Sequence, residues 1–290
     1  MITLLGAKGY VGKTMANVFK HNEISFASLS RVDLDYYNVE RLRSYLASNS
    51  SKFLINCAGF TGKPNVDACE LAKYECLQGN AVLPGIIREA CEDLKIPWGH
   101  VSSGCIYSGR RSDGRGWTEE DEPNFSFRSP PCSFYSGTKA LGEEVLVGAE
   151  NCYVWRLRIP FNHQPSPKNY LHKLLNYENL IEVENSVSHL EEFCHKCIDC
   201  FTKDIEPGVY NITNSGSITT RQVTELMIKE SLTDKKFNFF KTELEFMKKA
   251  AKTPRSSCVL DTKKAEKAGI GMRPVEEAMI DSIRKMSHSV

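Results

Sequence analysis

The sequence predicts an α/β protein: a doubly wound parallel Rossmann sheet with a smaller C-terminal substrate-binding lobe. Strand-like apolar runs alternate with helical periodicities as far as Pro160. A glycine-rich turn follows the first of those runs, where a nucleotide-binding sheet carries its phosphate loop. Beyond Pro160 the rhythm loosens into short strands and helices. The chain has 290 residues, which suits one such domain and an attached lobe. The division is expected at residues 1–162 and 163–290, with some later segments returning to the first domain.

ITLLGA reads as the first strand and is followed by a helix over 11–21. SFASL is the second strand, with a helix near 39–48, and FLINCAG is the third, with a helix near 80–94. WGHVSSGCIY is the fourth, with a helix near 135–147, and CYVWRLRIP is the fifth. Strands separated by helices cannot close as hairpins, so they pair in parallel with helices on both faces. The polar FNHQPSPKNY then leads into a helix, the short strand GVYNITN and a further helix in TTRQVTELMIKE.

Thirty-seven basic residues nearly balance thirty-six acidic ones, and no run of like charge forms a nucleic-acid or membrane footprint. Small molecules are the expected partners. No basic leader precedes the first apolar run and no stretch of eighteen apolar residues occurs, so a soluble cytoplasmic protein is expected. Eleven cysteines, an odd number spread through strands and helices, fit reduced thiols better than a disulfide framework. Cys194, Cys197 and Cys200 with His195 resemble a metal cluster. Their spacing in LEEFCHKCIDCF reads instead as the buried face of a helix, and no metal is expected.

Gly6, Gly9 and Gly12 in GAKGYVG allow a tight turn and let backbone N–H groups approach a pyrophosphate at the helix terminus. The second strand ends in Ser28-Leu29-Ser30-Arg31 with no acid for a ribose hydroxyl. A guanidinium there suits a 2′-phosphate, so NADPH is expected, with NADH the alternative through Asp33 or Asp35. Tyr135 and Lys139 in FYSGTK are four residues apart and share a helix face. An ammonium beside the phenol is expected to draw its pKa below about 10, making Tyr135 a proton donor to a carbonyl. Ser103 precedes this pair. On an extended strand end Cys105 would point with Ser103 into the same pocket.

This order of glycine loop, serine, and Tyr-x-x-x-Lys resembles the extended short-chain dehydrogenase/reductases. INCAGFTGKPNVDACE, SSGCIY, WTEEDEPNF, FYSGTKALGEEVL and PKNYLHKLL resemble more closely the plant-type bifunctional UDP-4-keto-6-deoxyglucose 3,5-epimerase/4-reductases. The resemblance implies a triad of Ser103, Tyr135 and Lys139, with Cys105 and Lys173 assigned to epimerisation. GDP-fucose synthase, a relative, pairs its cysteine with a histidine, which makes His163 or His172 the fallback for Lys173. Cofactor contacts are implied at Gly6, Gly9, Tyr10, Val11, Gly12, Arg31, Asp35, Cys57, Ala58, Gly59, Tyr135, Lys139 and Pro160. Substrate contacts are implied at Thr61, Asn65, Cys105, Asn162, Asn169 and Arg255. Asn65, Asp67 and Asn80 also read as structural supports of the pocket. Ser103 stands where the plant sequences have threonine, and SFRSPPC lengthens the connection before FYS.

The expected activity is therefore NADPH-dependent conversion of UDP-4-keto-6-deoxy-D-glucose to UDP-β-L-rhamnose, by a protein that pairs as a homodimer if it follows its family. The alternatives are a monofunctional dTDP-4-dehydrorhamnose reductase and a cofactor-binding regulatory subunit without turnover.

Overall fold

The alternating runs form one parallel sheet in the computed structural model, which describes residues 1–288. Its strands are β1 (Ile2–Leu5), β2 (Phe26–Leu29), β3 (Phe53–Asn56), β4 (Trp98–Ser103), β5 (Cys152–Leu157) and a last strand, Gly208–Asn211. Their spatial order is β2, β1, β3, β4, β5 and then Gly208–Asn211, and each pairing is parallel. Every residue of β1, β3 and β5 is buried, as a sheet covered on both faces requires. The order reverses between β1 and β3, which opens a crevice beyond their carboxyl ends.

The connecting helices are α1 (Tyr10–His21), α2 (Val39–Ser48), α3 (Lys73–Leu77), α4 (Leu83–Leu94) and α5 (Phe134–Glu144). On one face of the sheet α1 contributes Met15, Val18 and Phe19 to a core shared with Phe193, Cys194 and Cys197. On the other, Leu42 and Leu46 of α2 pack with Leu83 and Ile87 of α4 against Leu5, Leu54 and Trp98. The helix expected over 80–94 is broken at its start. A π turn, Gln78–Val82, precedes α4 and sets Asn80, fully buried, beneath the loop after β3.

The rest of the chain adds α6 (Tyr170–Asn176), α7 (Leu190–Thr202), α8 (Thr220–Lys229) and the C-terminal helix Val275–Ser287. A separate core of Phe161, Leu171, Leu174, Val223, Met279 and Ile283 holds the lobe together. Two of its segments belong to the sheet: α7 packs on α1, and Gly208–Asn211 forms the edge beside β5. Cys194, Cys197 and Cys200 are buried on the inner face of α7, where Trp155 donates its indole N–H to Cys200 Sγ at 3.3 Å, while His195 faces outward. Among the described residues no helix is long and apolar enough to cross a membrane.

Candidate active site

The glycine loop is pressed onto the end of β3. Gly6 has φ +78°, and a Cβ there would lie 2.5 Å from the Ala58 nitrogen; one on Gly12 would lie 2.2 Å from the Gly6 carbonyl oxygen. Only glycine allows this approach at either position. Cys57 and Val11 pack against the same core, and Gly9 is the N-cap of α1, with no side chain capping the first-turn N–H groups. Tyr10, in that first turn, donates its hydroxyl to Asn162 Oδ1 at 2.8 Å. After β2, Asp33 accepts from the Ser30 N–H and Oγ at 2.8 and 2.6 Å, and Asp35 accepts from the Tyr37 N–H. Lys8 lies 3.5 Å from Ser30 Oγ, and the exposed Arg31 stands beside Tyr36 and Tyr37. The Asp33 carboxylate is thus spent on its own turn, leaving two cations at the rim.

Ser103 closes β4 and caps a 3₁₀ turn, Gly104–Ile106, by accepting from the Cys105 N–H at 3.2 Å. This corrects the expected local geometry: Cys105 lies in a turn, and the cap rather than strand alternation brings it back beside Ser103. The Ser103 and Ser136 hydroxyls, Lys139 and Tyr135 surround the thiol. Burial pushes it up, and those hydroxyls and cations draw it partly back.

Tyr135 and Lys139 lie on α5, whose N-cap Ser133 accepts from the Ser136 N–H at 3.1 Å. Lys139, 6% exposed, donates to the Val101 carbonyl at 3.1 Å, and its Nζ is 3.7 Å from where a Gly59 Cβ would be. Burial lowers its pKa, opposed by the nearby thiols and Glu143. The expected lowering of the Tyr135 pKa is overturned. Burial raises it well above 10, the neighbouring thiols add to this, and the Ser103 hydroxyl opposes it only partly. Tyr135 is therefore held as a protonated donor.

The lobe side is cationic. Lys173, half-buried on α6, has no hydrogen-bond or ion-pair partner among the described residues, and burial, Lys168 and Arg255 lower its pKa. Lys168 donates to Thr61 Oγ1 at 2.7 Å. Arg255 is already engaged, its fork gripping both carboxylate oxygens of Asp67 at 2.7 Å, so it braces the loop instead of standing free for a diphosphate. Burial acts to raise the Asp67 pKa, but Arg255 and the Lys252 and Thr253 N–H groups hold it below the usual range. Asn65 caps the 3₁₀ turn Val66–Glu70 by accepting from the Asp67 N–H.

Asn162 and Asn169, expected as substrate contacts, are buried and make internal bonds. Asn162 donates to Glu191, and Asn169 donates to the Asn162 and Gln164 carbonyls while capping α6. They fix the wall between Tyr10 and the lobe. Pro160 starts the short strand after β5 that pairs with Ser188. His163 contacts Gln164, and the half-exposed His172 lies on α6. From the extra segment SFRSPPC, Phe127 packs on Gly137, two residues past Tyr135.

Asn80 carries more than its sequence announced. Its amide bonds the Phe60 N–H, the Phe60 carbonyl and Thr138 Oγ1, tying the loop after β3 to the residue before Lys139. Ser136, Cys258 and Arg158 also surround Cys105. Only the paired arginines of WRLRIP hinted at the last of these.

A family model, the RmlD substrate binding domain, matches residues 1–288. The chain belongs to the RmlD substrate binding domain family. A curated relative, the bifunctional dTDP-4-dehydrorhamnose 3,5-epimerase/dTDP-4-dehydrorhamnose reductase of Arabidopsis thaliana, is 28% identical over 282 residues, covering 96% of this chain and 90% of that protein. A trifunctional UDP-glucose 4,6-dehydratase/UDP-4-keto-6-deoxy-D-glucose 3,5-epimerase/UDP-4-keto-L-rhamnose-reductase of the same plant is 29% identical over 232 residues; the match covers 78% of this chain and 34% of the plant protein. The RmlD-family fold superposes on the L780 UDP-rhamnose synthase of Acanthamoeba polyphaga mimivirus with a TM-score of 0.89 at 21% identity, covering 99% of each chain. It superposes on the dTDP-4-dehydrorhamnose reductase of Bacillus anthracis, solved in complex with NADP, with a TM-score of 0.81 at 16% identity, covering 100% of this chain and 99% of that one.

Proposed function

We propose that this RmlD-family protein is an NADPH-dependent nucleotide-sugar epimerase/reductase that converts UDP-4-keto-6-deoxy-D-glucose to UDP-β-L-rhamnose. The observation that carries this reading is a thiol, Cys105, beside Ser103, Tyr135 and Lys139 in one buried cluster. Reduction of a ketone has no use for it. The plant and viral relatives named for rhamnose synthesis support the same substrate class.

The uncapped start of α1, the glycine cradle against Ala58, and the cations Lys8 and Arg31 fit a phosphorylated dinucleotide. When bound, NADPH supplies the hydride for C4. Ser103 and Tyr135 hold the carbonyl oxygen, and Tyr135, kept protonated by burial, delivers the proton. Lys139, which donates to the Val101 carbonyl here, would hold the cofactor ribose.

Before reduction, the C4 ketone acidifies the hydrogens on C3 and C5. The Cys105 thiolate takes one such proton, and the C–H electron pair moves onto the oxygen already held by Ser103 and Tyr135. The Lys173 ammonium returns a proton on the opposite face, which inverts the carbon; burial, Lys168 and Arg255 lower its pKa and so make it a readier proton donor. A monofunctional dTDP-4-dehydrorhamnose reductase is the second reading, favoured by the burial of Cys105, which is 5% exposed.

Incubation with UDP-4-keto-6-deoxyglucose and NADPH, followed by NMR of the product, separates the two. UDP-β-L-rhamnose is expected, and Cys105→Ala should shift the product to an unepimerised 6-deoxyhexose. Wild type yielding only the unepimerised sugar would remove the epimerase activity.

A further inference from the structure

Arg158 follows β5 and is 6% exposed, yet among the described residues no carboxylate lies within ion-pair distance of it. An unpaired buried guanidinium is costly, and such groups persist where a charge must be met during function. Two of its acceptors are neutral: Asn185 Oδ1 at 2.7 Å and the Ser256 carbonyl at 2.5 Å, both from one terminal nitrogen. Its Nε, also buried, has no hydrogen-bond partner among the described residues.

The same small cluster leads to Cys105. Asn185 Oδ1, besides accepting from Arg158, accepts from the Cys258 N–H at 3.0 Å. Cys258 Sγ in turn bonds the carbonyl of Gly104, the residue before Cys105, at 3.1 Å, and Cys105 and Cys258 share one buried cluster. The backbone around the arginine is constrained: Ile159, β-branched, takes φ +37°, a conformation such residues rarely adopt, and the Arg158 N–H is held by Ser188 Oγ. Five titratable groups besides Arg158 also face the Cys105 thiol: Lys139, Tyr135, Cys69, Cys132 and Cys258. Of these Lys139 alone is a cation, and it donates to the Val101 carbonyl.

We propose that Arg158 is a positioning residue for epimerisation, a built-in counter-ion that stabilises the Cys105 thiolate as it forms and holds it while the ring carbon gives up its proton. The inference rests on the epimerase reading and adds the group that lets a buried thiol act as a base. Its electrostatic influence on Cys105, the largest exerted by any charged side chain there, agrees with that role.

The test compares wild type with Arg158→Gln and Arg158→Lys. The first readout is the pH profile of solvent deuterium entry at C3 and C5 of UDP-4-keto-6-deoxyglucose. The second is thiolate absorbance at 240 nm, taken as the difference from Cys105→Ser in each background, without substrate. Loss of the cation should move both midpoints up by about one pH unit and slow exchange at pH 7.5 about tenfold, while Arg158→Lys should keep both midpoints near wild type. Arg158→Met replaces the glutamine variant should that not fold. Midpoints unchanged in Arg158→Gln or Arg158→Met would overturn the proposal. Wild type without exchange but with the absorbance shift would overturn only the epimerase reading, whereas exchange in wild type with no shift in either variant would overturn only the role of Arg158.

Discussion

The two halves of the pocket are built differently. On the sheet side, Ser103, Tyr135, Lys139 and the glycine loop hang from β1, β4 and α5, and the Ser103 hydroxyl and the Lys139 ammonium are each held by a backbone partner. On the lobe side, Lys173 has no partner among the described residues, and the loop bearing Asp67 is held to Arg255 by one bidentate ion pair. The half anchored on the sheet is pre-organised to hold one oxygen in place. The half with an uncommitted ammonium is free to move a proton. Reduction should therefore depend on the first half alone and epimerisation on both.

Tyr135→Phe should break that comparison most sharply, lowering NADPH oxidation about a hundredfold to ten-thousandfold, as loss of a general acid does. A spectrophotometric assay at 340 nm measures it. Cys105→Ser should lower deuterium exchange about a hundredfold, yet slow reduction of an already epimerised 4-keto-L-rhamnose nucleotide by less than about tenfold. Equal losses in both assays would make the halves one unit. Lys173→Met should abolish inversion more than exchange, because proton removal by Cys105 survives when its return from the other face does not; chiral analysis of the product against its deuterium content reads the difference.

At the rim of the sheet side, Arg31→Gln should raise the KM for NADPH about tenfold, the value of one charge-assisted contact, and narrow the preference over NADH. Steady-state kinetics with both cofactors checks this. The smallest effect concerns the seam. His189, N-cap of α7, is buried with its pKa pulled down to about 4 by burial and then by Arg273. The unfolded value is about 6.5, so the folded state binds fewer protons, and stability is full above pH 6.5 and declines as pH falls towards 4. The loss is at most about 3 kcal/mol. Chemical denaturation of His189→Gln, whose amide can still cap, should show a flatter decline over that window.

What the sequence made legible follows the same division. The parallel sheet, the glycine cradle and the helix bearing Tyr135 and Lys139 rest on local periodicity, which one strand or helix carries by itself. The surroundings of Cys105 did not, because Arg158, Asn185 and Cys258 reach it from three separate chain returns that no spacing records. Arg255 looked like an anion clamp for a related reason: its fork suits a phosphate or a carboxylate equally, and only the fold brings Asp67 to it. The Tyr135 pKa went astray because desolvation outweighs a neighbouring ammonium that is itself turned to the Val101 carbonyl.

Deuterium incorporation into UDP-4-keto-6-deoxyglucose in D2O without NADPH tests the central claim most directly, since it isolates proton exchange from hydride transfer. Label at both C3 and C5 with wild type, and its loss in Cys105→Ser, is the predicted result. A ketone recovered without label from wild type would contradict it.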